Sequence, residues 1–400
     1  MKILLISANF PPRIGGPATS VPELAKRLTE KGYEVHVLTV KFPGYEAHEM
    51  KDGYYIHRAT NINKDPASSG TISNIFSVGS MGILAHKIIS KYDIDIVHAH
   101  DLNLSAAAGI LSMCKKPLIT KYTGDLSLEY LILSGKVSFE DIQDKYTKQS
   151  KNLPFMVRFL DHFQKYLVKK STIVTAPSEF QKNMLLSQGV EEDSIIVLRN
   201  IVDTEKFNPN VSPVLEKKDK EKIILYAGRL VPWKGVEYLI KAFTKVRNVL
   251  GGSSKLLIIG DGPSRLKLQM LSQQLRVADS VIFTGKIPNS QVPGYIASSD
   301  IVVLPSLYDP FPHNMLETLA MKKPLIATSV GGIPEVVKHK ETGYLVKPRN
   351  SDELVNAIEQ LIDEEVLIKR ISEKGYEHII RNYSWDVLID DFVKLYEIVS

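Results

Sequence analysis

Leu304–Val337 reads LPSLYDPFPHNMLETLAMKKPLIATSVGGIPEVV. The apolar run into Leu304 predicts a buried strand ending at Pro305–Ser306, where a polar, proline-rich loop begins. A helix is predicted from about His313, a second strand over Pro324–Val330, and the Gly331-Gly332 turn opens another helix at Pro334. Asp309 and Glu317 stand on either side of the first helix start, with seven residues between them. A helix N-terminus presents unpaired N–H groups and partial positive charge, so it suits an anion. Carboxylates flanking that anion would hold hydroxyls on whatever carries it. A nucleotide-sugar meets both requirements.

Outward from this stretch, the second half of the chain alternates strands with helices. Strands are expected at Ile223–Gly228, Lys255–Gly260, Ser280–Gly285, Ile301–Pro305, Pro324–Ser329 and Gly343–Val346. The first half alternates in the same way, with strands at Lys2–Ser7, Glu34–Thr39, Tyr54–Ala59, Asp95–His100, Pro117–Tyr122, Thr172–Pro177 and Ser194–Arg199. Several are rich in Ile and Val without strict alternation, as strands buried on both faces should be. Helix-length segments such as Val21–Glu30 and Met81–Lys91 lie between them. This is the pattern of open, doubly wound parallel sheets.

The alternation pauses over Asn208–Lys222, which carries two prolines and the charged run EKKDKEK. A linker or surface loop is expected there. The α/β chain therefore divides into an N-terminal Rossmann-like domain over 1–205 and a second over 206–380. A C-terminal segment, 381–400, holds a last helix (roughly Trp385–Ile398) that can pack on either domain, the return to the N-terminal one included.

Composition agrees with this division. Four hundred residues exceed one ordinary core, and 44% hydrophobic with 24% charged residues is the balance of a soluble globular chain. One cysteine, Cys114, excludes an internal disulfide and a cysteine-based zinc cluster, and suits a reducing cytosol. The apolar run Ile3–Ile6 is too short for a signal-peptide core. No stretch approaches the roughly 18 apolar residues of a spanning helix. A cytoplasmic protein is the expectation. A net charge of +5 is mild for this length and does not call for nucleic acid.

Ligands bind such sheets at the carboxyl ends of the strands. After the first strand comes Asn9–Ser20, NFPPRIGGPATS, where Gly15 and Gly16 either let backbone approach a ligand or form a flexible turn. The loop lacks the G-x-G-x-x-G spacing of a dinucleotide site. His98-Ala99-His100-Asp101 ends another strand, with both imidazoles on one face. Each can meet a sugar hydroxyl or phosphate, or be a satisfied structural histidine, and no further His or Cys stands at zinc spacing. Lys121-Tyr-Thr-Gly-Asp125 adds a cation and a carboxylate, the latter an acceptor-orienting group or a helix cap. In Tyr226–Gly235, YAGRLVPWKG, Arg229 and Lys234 can clasp a diphosphate from two sides or be solvated surface charges, with Gly228, Pro232 and Gly235 shaping a defined turn that favours the first. Gly260-Asp-Gly262 and Gly285-Lys286-Ile287 offer backbone to a flat base.

These fragments carry a resemblance. GGPATSVPELAKRL, HAHD, APSEFQK, LRNIVDTEKFNP, YAGRLVPWKG, IIGDGP, FTGKIPNSQVPGYIASSD and the Asp309–Val337 stretch occur in the order found in family 4 glycosyltransferases. The chain resembles that family over nearly its whole length. The resemblance implies the GT-B architecture, two Rossmann-like domains facing across a cleft. It implies a retaining enzyme of the hexosyltransferase class that moves a sugar from a UDP- or GDP-sugar to an acceptor hydroxyl. No cofactor and no catalytic metal are expected. Arg229 and Lys234 would meet the donor diphosphate, with Gly15 and Gly16 approaching it from the other domain. The helix start at His313, with the amides of Asn314, Met315 and Leu316, would meet the phosphate. Glu317 would hold the ribose, Asp309 the sugar hydroxyls, and the Lys286–Ile287 backbone the base. His100 would face the sugar near its reacting carbon. Lys121 and Asp125 are candidates on the acceptor side.

The chain departs from the family in three places. The first acid of the pair is usually Glu, and Asp309 is one methylene shorter. Ile201 follows Asn200 where the family usually has Gly. KYTGDLSLEY matches only a subset of members. The acceptor is expected to be a carbohydrate or a lipid-linked hydroxyl, in cell-envelope polysaccharide, glycan or glycolipid synthesis. Between residues 145 and 170, Lys145, Lys148, Lys151, Arg158, Lys165, Lys169 and Lys170 face only Asp161, beside a stripe of Phe155, Phe159, Phe163 and Leu167. Such a helix can lie on an anionic membrane at its inner face, or it can pack its stripe on the sheet. Other chemistries on the same fold, a sugar phosphorylase or nucleotide-sugar epimerase, and a non-catalytic sugar-nucleotide sensor are the rival readings.

Overall fold

In the computed structural model, residues 1–13, 16–61, 71–101, 104–112, 115–125, 127, 130, 154–218, 221–247, 249–250 and 254–400 are described. Gly15, Cys114 and the lysines at 145, 148 and 151 lie outside them. Contacts divide the chain into a first unit, Met1–Tyr130 with Ser150–Arg199 and Leu388–Ser400, and a second containing Asn200–Val387.

The first unit is built on β1 (Lys2–Ile6), β2 (Glu34–Lys41), β3 (His48–Lys51), β4 (Tyr54–Asn61), β5 (Ile96–Ala99), β6 (Leu118–Lys121), β7 (Ile173–Ala176) and β8 (Ile195–Val197). They form one sheet in the order β3-β4-β2-β1-β5-β6-β7-β8. Every expected strand is present, its ends shifted by a residue or two. β1, β5 and β7 are buried almost throughout, because helices cover both faces of the sheet. Those helices are α1 (Gly16–Glu30), α2 (Thr71–Tyr92), α3 (Leu104–Leu111), α4 (Phe155–Lys170) and α5 (Glu179–Ser187). The reading from Val21 starts α1 too late: Pro22 sits inside the helix. β3 was not expected. It pairs antiparallel with β4 through Asp52-Gly53, whose φ angles of 49° and 83° suit a tight hairpin turn. Asp-Gly ahead of a β-rich run is a hairpin signal, and it was legible.

The second unit holds β9 (Ile223–Ala227), β10 (Lys255–Ile259), β11 (Val281–Gly285), β12 (Ile301–Leu304), β13 (Leu325–Thr328) and β14 (Tyr344–Val346). Their order is β11-β10-β9-β12-β13-β14, and these neighbours pair in parallel. The helices are α6 (Val236–Val246), α7 (Arg265–Gln274), α8 (Val292–Ser298), α9 (His313–Ala320), α10 (Ile333–Val336), α11 (Ser351–Asp363) and α12 (Glu365–Tyr383). α6 shows how the core forms. Val236, Leu239, Ile240, Phe243 and Val246 recur on one helical stripe and are buried in the apolar cluster over the sheet. Residues 208–218 carry no helix or strand and lie as a surface loop on this unit. Ser298 Oγ accepts from Val214 N at 3.0 Å, and Lys217 pairs with Asp300 at 2.8 Å.

α13 (Trp385–Val399) closes the chain, and from Leu388 onward it belongs to the first unit. Lys31 there reaches Asp390 at 2.7 Å, and Tyr396 shares a 2.9 Å hydrogen bond with His98 Nδ1. In each sheet the strand order reverses beside the first strand, between β1 and β5 and between β9 and β12. Loops leaving two neighbouring strands diverge at such a switch point and leave a crevice between them.

Candidate active site

In the second unit the switch point brings together the loop after β9 and the loop after β12. The carbonyl of Trp233 accepts hydrogen bonds from Leu307 N at 2.7 Å and Tyr308 N at 3.3 Å. Gly235 permits this approach. Its φ is +61°, and a Cβ there would stand 2.1 Å from the Pro305 carbonyl oxygen. So held, Lys234 Nζ forms an ion pair with Asp309 Oδ2, their side chains 15% and 7% exposed. Ser306 Oγ adds a 3.3 Å hydrogen bond to the same carboxylate oxygen. The backbone of Asp309 is pinned as well. Gly332 N donates to its carbonyl at 3.2 Å, and a Cβ on Gly331 would lie 1.8 Å from that oxygen. Residues that the sequence reading assigned to different parts of a ligand are thus partners of one another.

Arg229 is exposed, its guanidinium over the buried Trp233 ring at 5.7 Å. Its carbonyl accepts from the Tyr226 hydroxyl at 2.9 Å, and burial pushes that phenol far above its ordinary range. The hydrogen bond shapes the loop and leaves the guanidinium facing solvent.

α9 opens after Pro312 with no side chain capping its first turn. A helix start of this kind presents partial positive charge, which suits an anion. Asn314 Nδ2 donates to the Ala227 carbonyl at 2.6 Å, which fastens the helix start to the end of β9. Met315 and Leu316 are fully buried, so only their backbone can meet a ligand. Glu317 follows one turn in. Burial pushes its carboxyl up to about 7, and the charge of Lys206 opposes the shift. Burial in turn lowers Lys206. The sequence reading passed over Lys206, although it lies in the quoted LRNIVDTEKFNP. Asp203 Oδ1 accepts from Glu205 N at 3.1 Å and Lys206 N at 3.0 Å, the turn that presents this lysine. Lys286 and Ile287 follow β11, Lys286 exposed and Ile287 half-buried, after Gly285 at φ +72°. Asn200, next to the unusual Ile201, donates to the Phe311 carbonyl at 2.9 Å, and Ile201 itself is buried.

The first unit gathers a second group at the ends of β5 and β6. His98 and His100 are buried and their rings stack at 4.2 Å, as the one-face reading requires. Burial holds both neutral, His98 down at about 3 and His100 well below its usual value. Neither Nε2 has a hydrogen-bond partner. Ala99 pairs with Thr120 across the sheet, so His100 and Lys121 are next in register. Burial brings the Lys121 ammonium down to about 8. Asp125 is buried and accepts from Ser127 Oγ at 2.6 Å. Asp101 accepts from Ser105 N at 3.0 Å and from its hydroxyl, while Ser105 Oγ accepts from Ala8 N at 3.1 Å. That chain stitches the loop after β1 to α3, a structural role. Gly16 is the first residue of α1. Among the described residues no group of three or more His, Cys, Asp or Glu could hold a metal ion.

Residues 208–378 match the family Glycosyl transferases group 1, and residues 14–206 match Glycosyltransferase Family 4. The chain is a family 4 glycosyltransferase. This glycosyltransferase is 28% identical over 413 residues to an uncharacterised glycosyltransferase of Methanocaldococcus jannaschii, covering 100% of this chain and 98% of the relative. It is 24% identical over 412 residues to the GDP-mannose-dependent α-(1-6)-phosphatidylinositol monomannoside mannosyltransferase of Mycobacterium tuberculosis, with 98% of each covered. Among solved structures, sucrose-phosphate synthase from Thermosynechococcus elongatus superposes with a TM-score of 0.81 at 22% identity, over 99% of this chain and 98% of that one. The enzyme has the GT-B fold that its motifs imply, with two Rossmann-like parallel-sheet domains.

Proposed function

We propose that this glycosyltransferase moves a hexosyl residue from a UDP- or GDP-sugar to an acceptor hydroxyl, with retention at the anomeric carbon and with protein cations in place of a metal. The acceptor belongs to a cell-envelope polysaccharide, a glycan or a glycolipid. The observation that carries this reading is the Lys234–Asp309 pair beside an uncapped helix start at the switch point of the second unit. A lysine and a carboxylate so joined can grip a phosphate and a neighbouring hydroxyl together.

The chemistry follows from charge. As the bond from the anomeric carbon to the phosphate oxygen breaks, negative charge grows on that oxygen. Arg229, Lys234 and the amides at His313–Leu316 are preorganised cations and dipoles for it, so they favour the transition state over the ground state. Asp309 accepts from sugar hydroxyls and Glu317 from the ribose, while the Lys286–Ile287 backbone meets the base. Gly16 lets the start of α1 approach the diphosphate, and neutral His100 offers its Nε2 to the sugar. Lys121 and Asp125 serve the acceptor. The acceptor oxygen bonds to the anomeric carbon on the face the phosphate leaves, and its proton passes to the departing phosphate oxygen. A GDP-mannose-dependent relative with a lipid-borne acceptor supports both the donor class and the glycolipid option.

The test is a thermal-shift screen of UDP, GDP and their sugars, followed by transfer assays with the stabilising donor and NMR of the product anomer. Donor-dependent release of nucleoside diphosphate and an unchanged anomeric configuration are expected, with and without chelator. An inverted product would refute retention. Activity lost to chelator and restored by manganese would refute the metal-free mechanism.

A further inference from the structure

Two readings of the 145–170 segment stood open in the sequence, and the structure divides its aromatic stripe between them. Leu167 is buried and Phe163 packs against the core of the first unit. Phe155 and Phe159 are 81% and 53% exposed, Phe159 stacking on Phe163 with ring centroids 6.2 Å apart, and Tyr166 is 50% exposed. Arg158, Lys165, Lys169 and Lys170 are exposed as well. Spacings of three and four residues put these side chains on one outward face of α4, opposite buried Val157, Gln164 and Val168. The helix's one acid, Asp161, is half-buried and pairs with Lys165 at 2.9 Å.

The direction of the helix matters. Thr172, just beyond its C-terminal end, donates from its N–H to the Leu118 carbonyl at the start of β6. The N-terminal end, with Phe155 and Phe159, therefore lies toward the carboxyl ends of the strands, where His100 and Lys121 stand. Gln164 fixes this placement through a 2.9 Å hydrogen bond to the Tyr122 hydroxyl. At the basic end, Tyr166 and Lys170 join Lys116, Ser112 and Thr172 around a cavity of about 320 Å³.

We propose that α4 seats the enzyme on an anionic lipid bilayer. Phe155 and Phe159 enter the boundary between headgroups and acyl chains, while Arg158, Lys165, Lys169 and Lys170 meet headgroup phosphates. Interleaved aromatic and cationic side chains fit that surface on charge. The centre of a protein–protein contact is instead depleted in lysine. A seat at the rim holding His100 and Lys121 brings a lipid-borne hydroxyl to the acceptor side. That consequence rests on the proposed function; the docking itself does not.

Co-sedimentation with vesicles of phosphatidylcholine alone, or mixed with phosphatidylglycerol, tests the proposal. The full-length enzyme should sediment with the mixed vesicles only, and less as salt rises. Phe155→Ser/Phe159→Ser should lower the partition coefficient by about tenfold or more, because two aromatic side chains lose their immersion. Lys169→Glu/Lys170→Glu should lower it by a similar factor. Circular dichroism and nucleotide-sugar binding should stay unchanged in both variants. No sedimentation at low salt, or equal partition of wild type and the Phe variant, overturns docking. So does a wild-type dimer that the Phe variant dissociates, since the face would then belong to a second copy. Vesicle binding without any nucleotide-sugar binding overturns the proposed function and leaves docking standing.

Discussion

Glu317 offers a direct probe of the proposed donor site because its two protonation states differ in what they can hold. To accept hydrogen bonds from both ribose hydroxyls, the group has to be a carboxylate. Burial raises its pKa from 4.5 to about 7. Near pH 7, then, about half of the Glu317 carboxyls of the free enzyme carry a proton. If the donor binds only the ionised form, the apparent dissociation constant is the intrinsic one divided by the ionised fraction. Affinity weakens about tenfold from pH 8 to pH 6, about 1.4 kcal/mol, and binding at pH 7 releases about half a proton. Titration calorimetry with a UDP- or GDP-sugar and no acceptor, in two buffers of different ionisation enthalpy, measures both quantities. The diphosphate of a nucleotide-sugar is a diester and does not titrate in this window. Glu317→Gln should bind more weakly and show no pH dependence between these limits. The carboxyl's raised pKa also has a stability sign: its contribution is full below about 4.5 and is lost as pH rises through 7. A wild-type affinity as flat as the variant's, or one that tightens on acidification, refutes the ribose assignment.

Lys234→Ala should lower kcat/KM by two to three orders of magnitude, from the ~3–4 kcal/mol a transition-state donor supplies. It should also lower Tm, because buried Asp309 loses its cation; adding Asp309→Ala should restore Tm in calorimetry and leave turnover low. Asp309→Glu adds a methylene to a nearly enclosed carboxylate and should cost about 1–3 kcal/mol of stability, while changing the ratio of kcat/KM between epimeric donor sugars; an unchanged ratio would refute its contact with the sugar. His98 and His100 are held neutral by burial, their folded pKa values below the ordinary 6.5. Stability should be full above pH 6.5 and fall as pH drops toward 3, each imidazole contributing up to about 1.4 kcal/mol per pH unit; a urea midpoint constant from pH 7 to 4 would contradict this.

The sheets were legible in the sequence because parallel strands buried on both faces leave short Ile- and Val-rich runs that helices cannot imitate at that length. Strand ends were legible to within a residue or two because Gly, Pro and Ser punctuate them. β3 was missed although its Asp52-Gly53 turn was legible, because HEMK itself has no apolar face: the strand is an exposed edge held by its hairpin. The start of α1 was missed because Pro22 occupies an interior position. In the site, residue types and spacing named Arg229, Lys234, Asp309 and Glu317. Spacing along the chain says nothing about which strands become neighbours, so the pairing of Lys234 with Asp309 could not be read from it. Lys206 was hidden for the same reason. It gains meaning only when the fold sets it near a carboxylate that burial has made reluctant to ionise.

The short acid at position 309 makes sense in terms of what surrounds it. Two glycines bring the Gly331–Gly332 turn against its carbonyl, so its Cα cannot retreat. Gly235 draws the Lys234 loop just as close from the other side. Between those walls the Asp309 carboxylate already reaches both Lys234 Nζ and Ser306 Oγ. A longer side chain would have to bend away from the lysine or push the loop outward. The missing methylene is therefore matched by the approach of the two loops, and the carboxylate needs no added reach. An ammonium has three N–H donors, so Lys234 can keep Asp309 oriented while it also meets a phosphate. The pair behaves as one bifunctional group. In the proposed roles its cationic end meets the leaving group and its anionic end the sugar, so a substitution at either end should alter both turnover and donor choice.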